Sequence, residues 1–316
     1  MYVGIDVGGT SIKYGLVDSN GNIIHKGAIA TGFEKEELLQ NLTIIVDEYV
    51  SGSSGKVKGI GISMPGIVKE NGFLLTAGAI QSFFGLNLKQ EIEERTGIFT
   101  KIENDANAVA IAEKWLGNAS DKRNYVCVIL GTGVGGGIVI NDQVYRGHNG
   151  MAGEFGWMII DGIKDITDIE TKSITQRAAI VCGLINQYNI QARKRKEKEV
   201  TDAREIFQKE EDGEQLAIEV VDQFLDDLAV GILNLIGCFD PEVILIGGAI
   251  SSNEIFIKRI QKRLIMLEKK HQSMSFLIGK GLPSIVATKL KNDAGILGAV
   301  YQVKIAQEQL NKEMSK

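Results

Sequence analysis

Asp105 stands in the segment ENDANAVA, residues 103–110, where a strand-like run gives way to helical spacing. The end of a strand that leads into a helix is a common place for ligand contacts in α/β proteins. Asp105 has two readings there. It could cap the helix, or act as a general base that takes the proton from an attacking hydroxyl. Phosphoryl transfer needs one such carboxylate beside the acceptor, together with groups that stabilise phosphate charge. Two glycine-rich turns supply candidates for those groups. In the first, DVGGTSIK, Gly8 and Gly9 let backbone N–H groups reach phosphate oxygens without a Cβ in the way. Thr10 adds a hydroxyl and Lys13 a positive charge, while Asp6 could hold a magnesium ion through water. An ordinary hairpin turn is the plainer alternative.

The second turn, LGTGVGGG at 130–137, contains G-x-G-x-x-G at Gly131, Gly133 and Gly136. The dinucleotide fingerprint requires a helix directly afterwards, and GIVINDQVY reads instead as strand and turn. No G-x-x-x-x-G-K-[ST] occurs, so the chain is no P-loop protein. Two glycine hairpins facing one another would clamp a triphosphate. A further stretch, RGHNGMAGEFGW at 146–157, sets Glu154 among small residues, where its carboxylate could accept hydrogen bonds from sugar hydroxyls. Trp157 could stack on a pyranose face; the bland alternative is a surface Glu beside a core Trp.

These residues need scaffolds. Residues 2–21, YVGIDVGGTSIKYGLVDSNG, lie without gaps on residues 125–144, YVCVILGTGVGGGIVINDQV, each reading strand, glycine turn, strand, then polar turn. The pattern implies two related domains. Between and after the hairpins, EELLQNLTIIVDEYV and LNLKQEIEERTG have helical spacing, the latter closed by glycine. VKGIGISMPGIV and EVILIGG read as strands, helices dominate from about 173 to 237, and DAGILGAVYQVKIAQEQL is helical. Alternating strands and helices in both halves predict an α/β fold. The expected domains are 1–117, joined by the C-terminal helix at about 293–316, and 118–292.

The whole chain fits that organisation. Its 316 residues can hold two domains, and 44% hydrophobic with 24% charged residues is a globular balance. A net charge of −5 provides no basic field for nucleic acid. The charge run ARKRKEKE at 192–199 lacks interleaved aromatics and reads as a solvated face. Cys127, Cys182 and Cys238 form no CxxC pair and sit in apolar runs, so buried free thiols are expected. No leader pattern or apolar run of about 20 residues appears, which points to a cytoplasmic enzyme or binding protein without a membrane span.

Taken together, the motifs resemble the ROK family (repressor, open reading frame, kinase) from residue 3 to about 302. The series is DxGGTxxK at Asp6–Lys13, SMPG at Ser63–Gly66, ENDANA at Glu103–Ala108, GTGVGGG, GMAGEFG, ILIGGAIS and DAGILGAVY. The resemblance implies the actin-like sugar kinase fold, with two duplicated α/β domains around a cleft that closes to exclude water. It implies that Asp105 takes the proton from a sugar hydroxyl, usually O6 of a hexose, with Gly66, Asn104 and Glu154 holding the sugar. Gly8, Gly9, Thr10 and Lys13 would meet phosphate from one side and Gly131, Thr132 and Gly133 from the other. Gly247 and Gly248 would lie by the adenosine. ATP and magnesium are the implied cofactors, and a homodimer the favoured assembly.

The chain departs from the family pattern at one corner. Many family kinases place a His, which binds sugar and zinc, where Trp157 stands, followed by a CxCGxxGC cluster. The equivalent stretch here, DGIKDITDIETKSITQ, has no cysteine or histidine, so a Cys₃His zinc site is excluded on ligand count. His148 lies nearby without further ligands, and Glu170 matches a sugar-contacting Glu only loosely. GAIQSFFGLNLKQEIEE looks more like zinc-free members, some of which act on β-glucosides. The leading expectation is a glucokinase-like 6-kinase of a hexose or hexoside. The alternatives are a β-glucoside kinase, in which Trp157 with Phe83 or Phe84 accommodates an aglycone, and an N-acetylmannosamine kinase. Family repressors carry a helix-turn-helix domain before the first hairpin, which here begins at Tyr2, so repressor function is disfavoured.

Overall fold

Alternating apolar residues build two sheets of matching design. The computed structural model describes residues 1–52, 56–164 and 167–314. Asp165 and Ile166 of the carboxylate-bearing stretch, and the last two residues of the expected C-terminal helix range, lie outside the described residues. In chain order the N-terminal elements are β1 (Tyr2–Val7), β2 (Ser11–Val17), β3 (Ile23–Ala30), α1 (Lys35–Gly52), β4 (Ile60–Met64), α2 (Leu88–Thr96), β5 (Thr100–Asn104) and α3 (Asp105–Leu116). There follow β6 (Tyr125–Leu130), β7 (Val134–Ile140), β8 (Gln143–Val144), α4 (Ile174–Ala178), a π-helical turn (Ile180–Ile185), α5 (Asn186–Arg195), α6 (Ala203–Glu211) and α7 (Gln215–Phe239). The chain ends with β9 (Val243–Gly247), α8 (Glu254–Lys270), β10 (Ser284–Ala287) and α9 (Ala294–Met314).

The strand orders are β3-β2-β1-β4-β5 and β10-β9-β6-β7-β8, the same topology written from opposite edges. The gapless overlay of the two hairpins holds at both ends of their first two strands: Tyr2 corresponds to Tyr125, Val7 to Leu130, Ser11 to Val134 and Val17 to Ile140. The parallel neighbours repeat too, Val3 pairing Ile60 and Val126 pairing Ile244. Only the third strand differs. β8 has 2 residues against 8 in β3.

The chain forms two compact units, Met1–Lys122 with Gly137–Ala152 and Lys289–Lys316, and Arg123–Gly136 with Gly153–Thr288. In the first, one core joins β1, β2 and β4 to α1 and α2 through fully buried Ile5, Ile12, Leu38, Leu42 and Ile62. α2 is set by Asn87, whose side chain accepts from Gln90 N, and by Gly97 in the left-handed region at φ 67°. On the other sheet face α9 packs so tightly that a Cβ on Gly61 would lie 2.2 Å from the Ala299 carbonyl oxygen. Only glycine permits that approach. The fully buried Glu113 of α3 anchors the entry to α9, its Oε1 accepting from Lys289 N at 2.8 Å and Leu290 N at 2.9 Å.

The expectation of three buried thiols is corrected. Cys127 is buried, Cys182 half-buried and Cys238 exposed. Helical periodicity explains Cys238, because α7 turns Leu235 and Ile236 inward and therefore 237 and 238 outward. No helix among the described residues is long and apolar enough to cross a membrane.

Candidate active site

The β5–α3 junction separates two adjacent side chains, Asn104 and Asp105. Asn104, not Asp105, is the helix cap, its Oδ1 accepting from Asn107 N at 3.0 Å. The capping alternative for Asp105 therefore fails, because its backbone is already the first helical residue. Asn104 Nδ2 donates to the Gly66 carbonyl at 2.8 Å and to Asp105 Oδ1 at 3.0 Å, so both amide hydrogens are spent inside the protein. Asp105 Oδ1 also accepts from Ala106 N at 2.8 Å, and the residue is exposed. Asn104 thus positions Gly66 and Asp105, leaving at most one Oδ1 lone pair for a sugar. Gly66, at φ 90°, follows β4 beside β5.

Behind the junction lies an ion pair that the sequence does not reveal. Glu103 is 3% exposed and accepts from Asn104 N, Asn107 Nδ2 and the Arg146 guanidinium. Arg146 arrives from the loop after β8, so the pair links segments far apart in the chain. Among the described residues, the buried Asn107 Oδ1 has no hydrogen-bond partner.

The two glycine turns share one physical device. In the first, Thr31 Oγ1 donates to the Gly8 carbonyl at 2.7 Å. In the second, the N–H groups of Ile180 and Val181 donate to the Gly131 carbonyl at 3.0 and 3.3 Å, and Cys182 N donates to the Thr132 carbonyl at 3.2 Å. A trans peptide points its N–H opposite its C=O. Tying those carbonyls back therefore turns the amides of Gly9, Thr132 and Gly133 away from their scaffolds. None of the three has a partner among the described residues. They are open donors for an anion.

Asp6 and Lys13 face each other across the β1–β2 ladder. Burial pushes the Asp6 carboxyl above the usual range, opposed by the Ser63 hydroxyl, which donates to Oδ1 at 2.8 Å, and by the Lys13 charge. The first turn of α9 closes over it, a Cβ on Gly295 falling 2.4 Å from the carboxylate. A divalent cation beside Asp6 would offset that desolvation and favour the charged carboxylate.

In the second unit, Gly131, Thr132 and Gly248 line a cavity of about 850 Å³. Its apolar walls are Ile180, Val181, Ile185, Phe207 and Ile250, with Thr201, Asp202 and Arg204 at polar positions. Gly248, at φ 90°, runs so close to β6 that a Cβ would sit 2.0 Å from the Leu130 carbonyl oxygen. Gly247 lies behind it inside β9, against Ile129, and is not part of the lining. Sequence reading missed the walls at 180–185 and 201–207, since apolar residues facing a cavity look like core.

Glu154 belongs to the same unit. Burial without a compensating charge pushes its carboxyl above the usual range, and its side chain has no hydrogen bond among the described residues. Trp157, three residues on, is 58% exposed, which overturns the core alternative. Phe83 is fully buried and leaves the proposed aromatic corner, whereas Phe84 is 46% exposed. Glu170 is exposed on a short 3₁₀ turn, and in the run at 192–199 the charged residues are exposed as expected while Ala192 is buried.

The chain matches the ROK family over residues 2–306 and belongs to that family. A β-glucoside kinase of Listeria monocytogenes is 35% identical over 307 residues, which cover 94% of this chain and 95% of the relative. Among solved structures, a ROK family protein from Streptococcus pneumoniae in complex with sucrose aligns with a TM-score of 0.83 and 28% identity, covering 98% of this chain and 99% of that one. A ROK family glucokinase from Streptomyces griseus in complex with glucose and AMPPNP aligns with a TM-score of 0.76 and 25% identity, covering 95% and 98%. The two-sheet architecture is the actin-like sugar kinase fold.

Proposed function

We propose that this chain transfers the terminal phosphoryl group of ATP to the 6-hydroxyl of a hexose or hexoside, with β-glucosides as its preferred class. Family membership and kinase relatives along the whole chain support the reaction type. The observation that carries the substrate class is Trp157. It stands open to solvent three residues after the desolvated, unpartnered Glu154, where an aromatic ring can pack on an aglycone.

Each group has a task in this reading. Asp105, held by Asn104, accepts the proton of the attacking hydroxyl as the oxygen bonds to phosphorus. Glu154 accepts hydrogen bonds from sugar hydroxyls. Gly66, Asn104 and Glu170 complete the sugar contacts. The Gly9, Thr132 and Gly133 amides, with Gly8, Thr10, Gly131 and the Lys13 charge, stabilise the phosphates. The large cavity beside Gly248 takes the adenosine, with Gly247 as its backing strand. Asp6 would hold magnesium through water, and that ion would supply charge neutralisation between the phosphates. Turnover of ATP against glucose, mannose, N-acetylmannosamine, cellobiose and an aryl β-glucoside tests the proposal. The β-glucosides should show the highest kcat/KM, and a clear preference for a free hexose overturns the substrate class.

A further inference from the structure

A second concavity in the unit at 153–288 belongs to neither the nucleotide cavity nor the Asp105 junction. It is a cleft of about 320 Å³ between α5 and α7, at the lower end of the size range of small-molecule sites. Gln187, Gln191 and Arg195 recur every four residues on α5 and so share one face. Glu219, Gln223 and Asp227 do the same on α7. Two polar stripes therefore line the cleft, over an apolar floor of Leu184, Leu216 and Phe224.

The charges cancel. Arg177 pairs with Asp227 through two hydrogen bonds at 2.8 and 3.1 Å. Arg195 pairs with Glu219 at 2.8 Å. A phosphate would have to displace a carboxylate from either arginine, so an anion gains little. Between the pairs lie amides with capacity to spare. Gln187 and Gln223 each donate through Nε2, to the Gln176 carbonyl and Asp227, leaving their Oε1 atoms as acceptors. Gln191 has no side-chain hydrogen bond among the described residues. Neutral donors and acceptors match a polyhydroxyl ring, whose hydroxyls both give and accept.

The cleft also touches the nucleotide cavity through one segment. In the π-helical turn, Leu184 lines the cleft while Ile180, Val181 and Ile185 line the cavity. The same turn ties back the Gly131 and Thr132 carbonyls through its first N–H groups. Isolated π-helical turns often mark functional sites. We propose that the α5–α7 cleft is a second, regulatory site for a neutral hexose-sized sugar, and that its occupancy changes nucleotide affinity through the Ile180–Ile185 turn. The coupling half rests on the cavity beside Gly248 being the nucleotide site; the binding half does not.

Equilibrium dialysis with radiolabelled glucose tests the binding. Gln191→Trp fills the cleft, and Glu154→Gln weakens the proposed substrate site. The wild-type chain should bind two equivalents and each variant one, with the double variant binding none. Fluorescent ADP should bind wild type with an affinity that shifts several-fold as glucose rises, and Gln191→Trp should abolish that shift while retaining turnover. If Gln191→Trp binds as much glucose as wild type, the cleft is no sugar site. If it loses one equivalent but ADP affinity in wild type ignores glucose, the regulatory coupling is overturned. If Glu154→Gln keeps both equivalents while Gln191→Trp loses one, the substrate reading at Glu154 is overturned and the cleft stands.

Discussion

Asn104 Nδ2 donates to Asp105 Oδ1 at 3.0 Å while Asn104 Oδ1 caps the helix that Asp105 begins. One side chain thus fixes both the helix start and the orientation of the proposed base. Asn104→Ala should lower stability by about 0.5–2 kcal/mol through the lost cap. It should also lower kcat, and Asn104→Asp, which can still cap, should recover stability without full turnover. Urea midpoints alongside steady-state kinetics separate the two effects.

Trp157 bears on specificity rather than chemistry. Trp157→Ala should cut kcat/KM for an aryl β-glucoside about 2–10-fold, the worth of an aromatic contact beyond its burial. Glucose turnover should change little. Equal losses on both substrates would place the ring elsewhere than against an aglycone.

The Glu103–Arg146 pair is structural support beneath the β5–α3 junction. Arg146→Ala leaves a carboxylate that is 3% exposed without its cation and should cost about 1–3 kcal/mol or more. Arg146→Lys should recover part of that. The urea midpoint at constant m-value measures it.

Glu268 on α8 gives a pH signature. It is 4% exposed and burial raises its carboxyl above the ordinary 4.5. The folded state then holds the proton more tightly than the unfolded chain, so its contribution is full below about 4.5 and lost as pH rises through the folded value. Glu268→Gln should raise Tm at pH 7 and leave it nearly unchanged at pH 4. A Tm drop at pH 7 would show that the carboxylate has a partner when charged.

How much was legible follows from range. The hairpins at Asp6–Lys13 and 130–137 announced themselves because glycine turns and alternating strands are local signals, and their overlay matched the ends of both hairpin strands. Asp105 was legible as a strand-to-helix residue, but its freedom from capping depended on which of two adjacent side chains bonded Asn107 N. The Glu103–Arg146 pair and the walls at 180–185 and 201–207 join segments distant in sequence, and no local spacing encodes them. Phe83 and Phe84 are adjacent aromatics that only packing separates into core and surface.

Asp105 is the proposed base for phosphoryl transfer to a sugar. The most direct measurement is ATP-dependent phosphorylation of cellobiose by Asp105→Asn beside wild type, with sugar binding followed by calorimetry. The substitution should keep sugar affinity within a few-fold and lower kcat by about 10²–10⁴. Unchanged kcat with intact binding would remove Asp105 from that role and with it the mechanism.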